Sequence, residues 1–471
     1  MVIINLLLKF ANWFWQWPIL ALCGGGGLYL GIRTGFIQFR HFGYIMSQTF
    51  GKMFSKSSTG EGNVSQFAAA CTALASSIGA SNIVGVPVAI ALGGPGAVFW
   101  IIIMALIGCG TKFVEVTAGL MYREKNEAGE WVGGPYYYCR QIGKKGSVLA
   151  KIGAFFGTFY AVLLAIELIP SLAAQATSAA QQGDLMGVPQ IVIAVITAVI
   201  VVIVCIGGVK RIGDVCDKLV PIMALVYLIG AVIIILMHVS AVPAAIGMIF
   251  KDAWTGKAAL GGFAGATMSQ ALRWGMARGL YSNEAGFGTS PQGHAAANVD
   301  HPVRQGFWGV FEVFVDTIIV CMSTALVILT TGVYTKEGIQ QGALAQAAFH
   351  DNFGQFGNFF VGISVFLFVL STIIVCAFYG QRQAEFLFGV KFGKIWIWVY
   401  VISTIIGGLG IDLGVMYSLT DAFLAMIIIP NVVALLILVP KVRQAQNEFF
   451  NTPGKYYLAD MEAKKAKKAG K

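Results

Sequence analysis

Between residues 75 and 85 the chain reads Ala75-Ser76-Ser77-Ile78-Gly79-Ala80-Ser81-Asn82-Ile83-Val84-Gly85, small and polar residues set inside an apolar stretch. Gly, Ser and Asn are poor helix-interior residues: they loosen the backbone or compete for its hydrogen bonds. An unwound turn here frees N–H groups for a carboxylate and carbonyls for a cation. The same small residues also suit close helix packing, although Asn82 is an expensive choice for that purpose. A second candidate is Ser371-Thr372 within Phe366-Leu367-Phe368-Val369-Leu370-Ser371-Thr372-Ile373-Ile374-Val375-Cys376. Two adjacent hydroxyls offer neutral oxygen ligands to a hard monovalent cation, or bond back to their own helix. A third is Glu167, Ser171, Gln175 and Ser178, at i, i+4, i+8 and i+11, along one helical face. A polar stripe in an apolar segment faces a cavity or a partner helix, and an ionisable Glu167 at membrane depth is a functional candidate.

Other charged residues lie in or beside apolar runs. Arg278 and Glu284, following Arg273-Trp274-Gly275, are expected to form a gate or anchor pair at the inner face, with Gly275 and Gly279 permitting a bend. Asp316 and Asp421 are buried acids that need partners. Glu115 with Lys112, and Asp217 with Arg211, are expected near the inner membrane edge, where they can snorkel.

The elements that must position these residues are membrane helices. Of 471 residues, 57% are hydrophobic and only 11% charged, against about 25% charged in a soluble domain. Apolar stretches of about 20 residues or more recur along the chain. Hydropathy predicts about eleven spans, at 10–31, 66–92, 96–121, 150–181, 188–208, 217–239, 259–279, 306–332, 356–380, 394–412 and 415–440. Lipid-facing backbone must satisfy its own hydrogen bonds, so these are helices, and no alternating pattern suggests a barrel. Most of the 32 Lys and Arg fall in 32–65, 122–149, 209–216, 280–305, 381–393 and the tail. With eleven spans this places the N-terminus outside and the C-terminus in the cytoplasm. Eleven divides into one extra helix (10–31) and two sets of five, 66–239 and 259–440. Five is odd, so the second set runs inverted relative to the first. Residues 1–445 form one transmembrane domain, followed by a basic cytoplasmic tail, 446–471. The start of the chain reads as a retained first helix, since it lacks a basic leader region and a cleavage site.

The net charge of +10 reflects membrane topology and a tail near anionic lipid rather than nucleic acid, because no soluble domain is present to hold a basic groove. The eight cysteines form no C-x-x-C pair and the five histidines are scattered, so neither a disulfide framework nor a metal centre is indicated. No G-x-x-x-x-G-K-[ST] motif for ATP binding occurs. No nucleophile–base constellation is visible either, so the chain does not read as an enzyme. No cofactor and no obligatory protein partner are implied. A passive channel would need a continuous polar pore rather than one central break.

Longer motifs carry a resemblance to a known family. Ala91-Leu92-Gly93-Gly94-Pro95-Gly96-Ala97 with Phe99-Trp100, then Gly133-Gly134-Pro135-Tyr136-Tyr137-Tyr138, occur in order. Ala277-Arg278-Gly279-Leu280-Tyr281-Ser282-Asn283-Glu284-Ala285-Gly286, Asp316-Thr317 with Cys321, Ser371-Thr372-Ile373-Ile374 and Pro430-Asn431 follow. In these the chain resembles the alanine/glycine:cation (sodium:alanine) symporters over nearly its whole length. The resemblance implies a LeuT-type fold, one helix preceding a ten-helix core, with the second and seventh spans broken. It implies sodium-coupled symport of a small neutral amino acid across the cell inner membrane by alternating access. It places Gly79 and Asn82 at the substrate carboxylate, and Gln175, Thr372, Ile373 and Cys376 near the substrate. Sodium would be held by carbonyls around Ala75 and Ile78 with Ser371 and Thr372; Glu167, Ser81 and Ser178 are further candidates. Departures also show. Ala80-Ser81 stands for Thr-Gly, Thr177-Ser178 for Asn-Ser, and Val375-Cys376 for Gly-Trp, while Glu167 is outside the family pattern. Cys376 is much smaller than Trp, which raises the alternative of a larger amino acid such as glutamine.

Overall fold

The computed structural model describes residues 2–53, 60–185, 187–255, 268–410 and 413–469. Among these residues, seven helices are long and apolar enough to cross a membrane: Gly96–Met121, Val148–Gly183, Gly208–Met237, Pro302–Thr331, Gln355–Phe388, Val390–Gly407 and Leu413–Asn451. An eighth crossing is the pair Gln66–Ser77 and Ser81–Gly93, bent by 46°. Gln190–Cys205 is apolar but shorter, at 16 residues. All nine fall on predicted spans. The predicted span 10–31 is instead a series of pieces, among them Val2–Phe14, a π-helical Leu20–Gly25 and Gly26–Arg33. In 259–279, residues 259–267 lie outside the described residues, and the remainder belongs to the helix Met268–Asn283.

The outward faces identify the solvent. On Gly208–Met237, Ile222, Leu225, Val226, Ile229, Val232, Ile233 and Leu236 are all exposed. They repeat at helical spacing to form a continuous apolar stripe, a surface that only lipid covers favourably. Inside, polar side chains serve the backbone where a helix is imperfect. Pro170 interrupts the hydrogen-bond ladder of Val148–Leu185. Carbonyls flanking it are taken by the facing helix: Tyr400 donates to Ala165 O at 2.9 Å, and Ser403 donates to Ile169 O.

Gly275 and Gly279 do not bend their segment, which is helical from Met268 to Asn283. They let it lie directly on Gly96–Met121. A Cβ on Gly275 would sit 2.2 Å from Ala97 O, and one on Gly279 only 3.2 Å from Ile101 Cα. Small residues at a helix contact allow that approach.

The connections on the side of the predicted inner loops are structured. Glu124–Lys125 and Trp131–Val132 form a short antiparallel hairpin, with Glu124 opposite Val132. Arg123 donates to Ala295 O, Ala297 O and Glu61 O at 2.7–2.9 Å, tying three connections together. The helix Leu413–Asn451 continues past the predicted domain limit at 445, and the chain turns at 452–455 before a separate tail helix, Tyr456–Ala469.

Candidate functional site

Two helices are interrupted face to face. Ser65 caps the start of the first by accepting from Ala68 N at 3.0 Å. That helix ends at Ser77; Ile78 leaves helical geometry with ψ +87°, and a π-helical turn resumes at Ser81. The second stops at Asn283. Glu284 takes a left-handed φ of +53°, Gly286 and Gly288 have φ of +100° and +77°, and helix resumes over Ser290–His294. The first break lies where the sequence reading places it; the second falls beyond the predicted span 259–279, in the stretch 280–305 read as an inner loop.

Asn82 holds the first break in shape. Its side-chain oxygen accepts from Gly79 N at 3.0 Å, and its amide donates to Asp316 Oδ1 at 2.6 Å and Ser282 Oγ at 3.2 Å. The residue is fully buried, with both of its functional ends engaged by the protein. The expectation that Asn82 meets a substrate carboxylate directly therefore gains a structural companion: it fixes the turn whose N–H groups would do so. Asp316, predicted to need partners, has them in Asn82, Ser282 and Thr317.

Thr372 brings a second element to the break. Its hydroxyl lies 3.0 Å from Ala75 O and 3.0 Å from Phe368 O. A Cβ on Gly79 would come within 2.9 Å of that hydroxyl, so glycine is required for the contact. Ala75, Gly79 and Thr372 thus converge, joined by a hydrogen bond from the Thr372 hydroxyl to Ala75 O. Ser371 points elsewhere: it donates to Phe368 O at 2.8 Å and touches Met223 Sδ at 3.5 Å. Ile78 and Ile373 are fully buried.

The Val148–Leu185 helix supplies the polar stripe. Glu167 is buried and accepts from Ser171, and among the described residues no Lys, Arg or His forms an ion pair with it. Gln175 Oε1 is buried with no hydrogen-bond partner, an acceptor left over for a donor the protein does not provide. Ser178 bonds Ala174 O at 2.9 Å and Tyr417 Oη at 3.2 Å, while Ser81 is half-buried, 3.5 Å from Asn82 Oδ1. Cys376 is buried on Gln355–Phe388.

Several charged residues pair differently from expectation. Lys112 and Glu115 do not snorkel. Lys112 is fully buried and pairs at 3.0 Å with Glu312, 200 positions away. Glu312 also accepts from Ser77 at 2.9 Å and Ser290 at 2.6 Å, and meets His294 Nε2 at 3.4 Å. Glu115 instead accepts from Asn431 Nδ2 at 2.7 Å and Gly286 N at 3.1 Å. Arg278 and Glu284 do not form a gate pair. Glu284 accepts from Ser76 at 3.2 Å and Thr289 at 2.5 Å. Arg278 lines a separate recess with Trp15, Tyr281 and Asp421. Arg211 donates to Ile203 O at 2.9 Å rather than to Asp217. Glu312 and His294 were missed by the sequence reading; the available signal was the Glu312 carboxylate inside the apolar run 306–332, while His294, in the predicted loop 280–305, offered none.

Paired broken helices in an apolar bundle, with buried polar groups converging where they break, define an all-helical membrane transporter rather than an enzyme. The sodium:alanine symporter family profile matches residues 1–462, and the chain belongs to that family. It is 45% identical to an uncharacterised transporter, YflA, of Bacillus subtilis, over 97% of this chain and 95% of the relative. It is 34% identical to the sodium/alanine symporter AgcS of Methanococcus maripaludis (91% and 93% covered) and 31% identical to the probable sodium/glutamine symporter GlnT of Bacillus subtilis (90% and 86%). A manganese transporter of Eremococcus coleocola shares the fold, with a TM-score of 0.53 at 13% identity, covering 88% of this chain and 94% of that one. Cation-coupled amino-acid symport by a multi-pass membrane protein is the activity of this family.

Proposed function

We propose that this protein carries a small neutral amino acid of the alanine or glycine kind into the cytoplasm together with sodium, by alternating access in the cell inner membrane. The observation that carries the reading is the convergence of Ala75 O, Gly79 and the Thr372 hydroxyl at the first break. Sodium takes the Ala75 and Ile78 carbonyls with the Thr372 hydroxyl, while Ser371, turned toward Phe368 O and Met223, stays outside the shell. The substrate carboxylate meets backbone N–H groups at Gly79, on the turn that Asn82 fixes, while the unpartnered Gln175 Oε1 accepts from its ammonium. Ile373 and Cys376 bound its side chain. The architecture proposed is eleven spans, one extra helix and two inverted sets of five, with the N-terminus outside and the C-terminus in the cytoplasm. Sodium moving inward supplies about 2.3 kcal/mol per charge per 100 mV.

A second reading keeps the coupling and changes the cargo. Trp occupies on the order of 200 Å² and Cys is small, so Cys376 leaves room for a longer side chain such as that of glutamine. Uptake of radiolabelled alanine into proteoliposomes under an inward sodium gradient tests both readings, with competition by an amino-acid panel. Concentrative, sodium-dependent uptake blocked only by alanine and glycine supports the first reading; block by glutamine supports the second. Uptake that never exceeds equilibration removes both.

A further inference from the structure

The tail helix Tyr456–Ala469 docks away from the transport site, on the segment that follows Gly26–Arg33. Its first turns are held firmly. Asp460 accepts from Tyr44 Oη at 2.6 Å and from Arg304 Nη1 at 2.8 Å. Tyr457 packs edge-on against Tyr44 with centroids 4.8 Å apart, and Phe450 stacks on His41 at 4.3 Å. Residues 462–466 of the helix stand exposed, among them Lys464 and Lys465.

Between this helix and the segment 39–48 is a recess of about 390 Å³, lined by Phe39, Arg40, His41, Phe42, Tyr457 and Lys464 among others. Asp460 also lines it, but its carboxylate is already satisfied by Arg304 and Tyr44. Among the described residues, Arg40 and Lys464 have no carboxylate within ion-pair distance. Two cations without an ion-pair partner therefore line one cleft, and the one acid beside them, Asp460, is already held by Arg304. The rim is equally informative: Phe39 is 56% exposed and Phe42 40% exposed. Large aromatics left bare beside Arg and Lys, at the end of membrane helices, mark the boundary between headgroups and acyl chains.

We propose that this recess binds the headgroup of an anionic phospholipid, with Arg40 and Lys464 on the phosphate and Phe39 and Phe42 in the acyl layer. The lipid joins the tail helix to the segment 39–48 from the membrane side, as Arg304 and Tyr44 join them from the protein side. A soluble phosphate would satisfy the two cations but would leave the aromatics bare, which is why a lipid is favoured.

The test uses the full-length protein in nanodiscs of phosphatidylcholine titrated with phosphatidylglycerol, with retained lipid counted by native mass spectrometry. Wild type should retain phosphatidylglycerol in preference to phosphatidylcholine, and the preference should weaken with added salt. Arg40→Gln with Lys464→Gln should lower the preference about fivefold per cation removed, the equivalent of ~1 kcal/mol each at a charged membrane surface. Lys391→Gln with Lys394→Gln, in the first turns of the helix Val390–Gly407, should leave it intact. Phe39→Ser with Phe42→Ser should lower retention of the lipid without changing any response to inorganic phosphate. Equal retention by wild type and the Arg40/Lys464 variant overturns the proposal. So does displacement of the lipid by millimolar inorganic phosphate or glycerophosphate, which would make the recess a soluble-anion site. A failure of amino-acid transport in the same preparation bears on the proposed cargo and not on the lipid.

Discussion

Thr372→Val isolates the cation ligand from the space it fills, because the two side chains are nearly the same shape. In the wild type the Thr372 hydroxyl lies 3.0 Å from two carbonyls, Ala75 O and Phe368 O. One proton serves one of them at a time, and the oxygen lone pairs stay available to a cation. Gly79 lacks a Cβ at the point of contact, so a valine methyl is accommodated there. Removing one neutral ligand from a bound charge is worth about 1.5–3 kcal/mol, the range for hydrogen bonds to charged groups. At about 1.4 kcal/mol per decade, the sodium concentration for half-maximal uptake should rise roughly ten- to hundredfold. The maximal rate at saturating sodium should change far less, and Thr372→Ser should stay close to wild type. The assay is initial-rate uptake in proteoliposomes across a sodium series, with the melting temperature of each variant measured alongside. A purely structural Thr372 gives a different pattern: a lower melting temperature from the unsatisfied Ala75 carbonyl, with unaltered sodium dependence. A folded Thr372→Val protein whose half-saturation lies within twofold of wild type refutes the ion-site reasoning.

Other substitutions probe the remaining site. Asn82→Ala removes the acceptor of Gly79 N and a donor to Asp316, each an orphaned buried group worth about 1–3 kcal/mol; both thermal stability and substrate affinity should fall, and wild-type values for both would show that the break holds without it. Glu312→Gln leaves Lys112 charged, buried and unpaired, at about 3–5 kcal/mol for breaking a buried pair; little folded protein should be recovered, and normal yield and melting would contradict the pairing. Cys376→Trp should keep alanine uptake while excluding longer side chains, and an unchanged competition profile would detach Cys376 from the pocket. Glu167→Gln tests whether an unpaired buried carboxylate reads the cargo: altered selectivity among amino acids with polar side chains supports that role, and identical uptake across the panel and across pH ends it.

Local composition was enough to locate the first break, though not the second, which falls at 284–289 rather than at Gly275 and Gly279. Ser76, Ser77, Gly79, Ser81 and Asn82 are wrong for a helix interior in ways that depend only on their own chemistry, and the helix does end at Ser77. The stripe from Glu167 to Ser178 was readable for the same reason, since spacing along a helix fixes a face. Spacing does not reveal the neighbour opposite that face. Lys112 was matched to Glu115 because the two are three residues apart, yet its partner is Glu312. Gly275 and Gly279 looked like points of flexibility because glycine lacks a side chain; the same lack lets one backbone rest on another. The first helix misled in a third way, since the mean hydropathy of 10–31 outweighs the Gln16 and Pro18 that mark its subdivision near residue 16. Hydropathy measures the solvent a segment tolerates and not the path it takes.

Glu312 and Asp316 sit one turn apart on a single stretch, Pro302–Thr331. Glu312 accepts from Ser77 and Ser290, the end of one half-helix and the start of another; Asp316 accepts from Asn82 and Ser282, on the two complementary halves. The four half-helices are thus fastened crosswise into two couples, each riveted through one carboxylate, and a single stretch carries both rivets. The halves of each broken helix answer to that shared beam as well as to their own linkers at 78–80 and 284–289, so no half-helix can shift alone without parting a buried carboxylate from one of its donors.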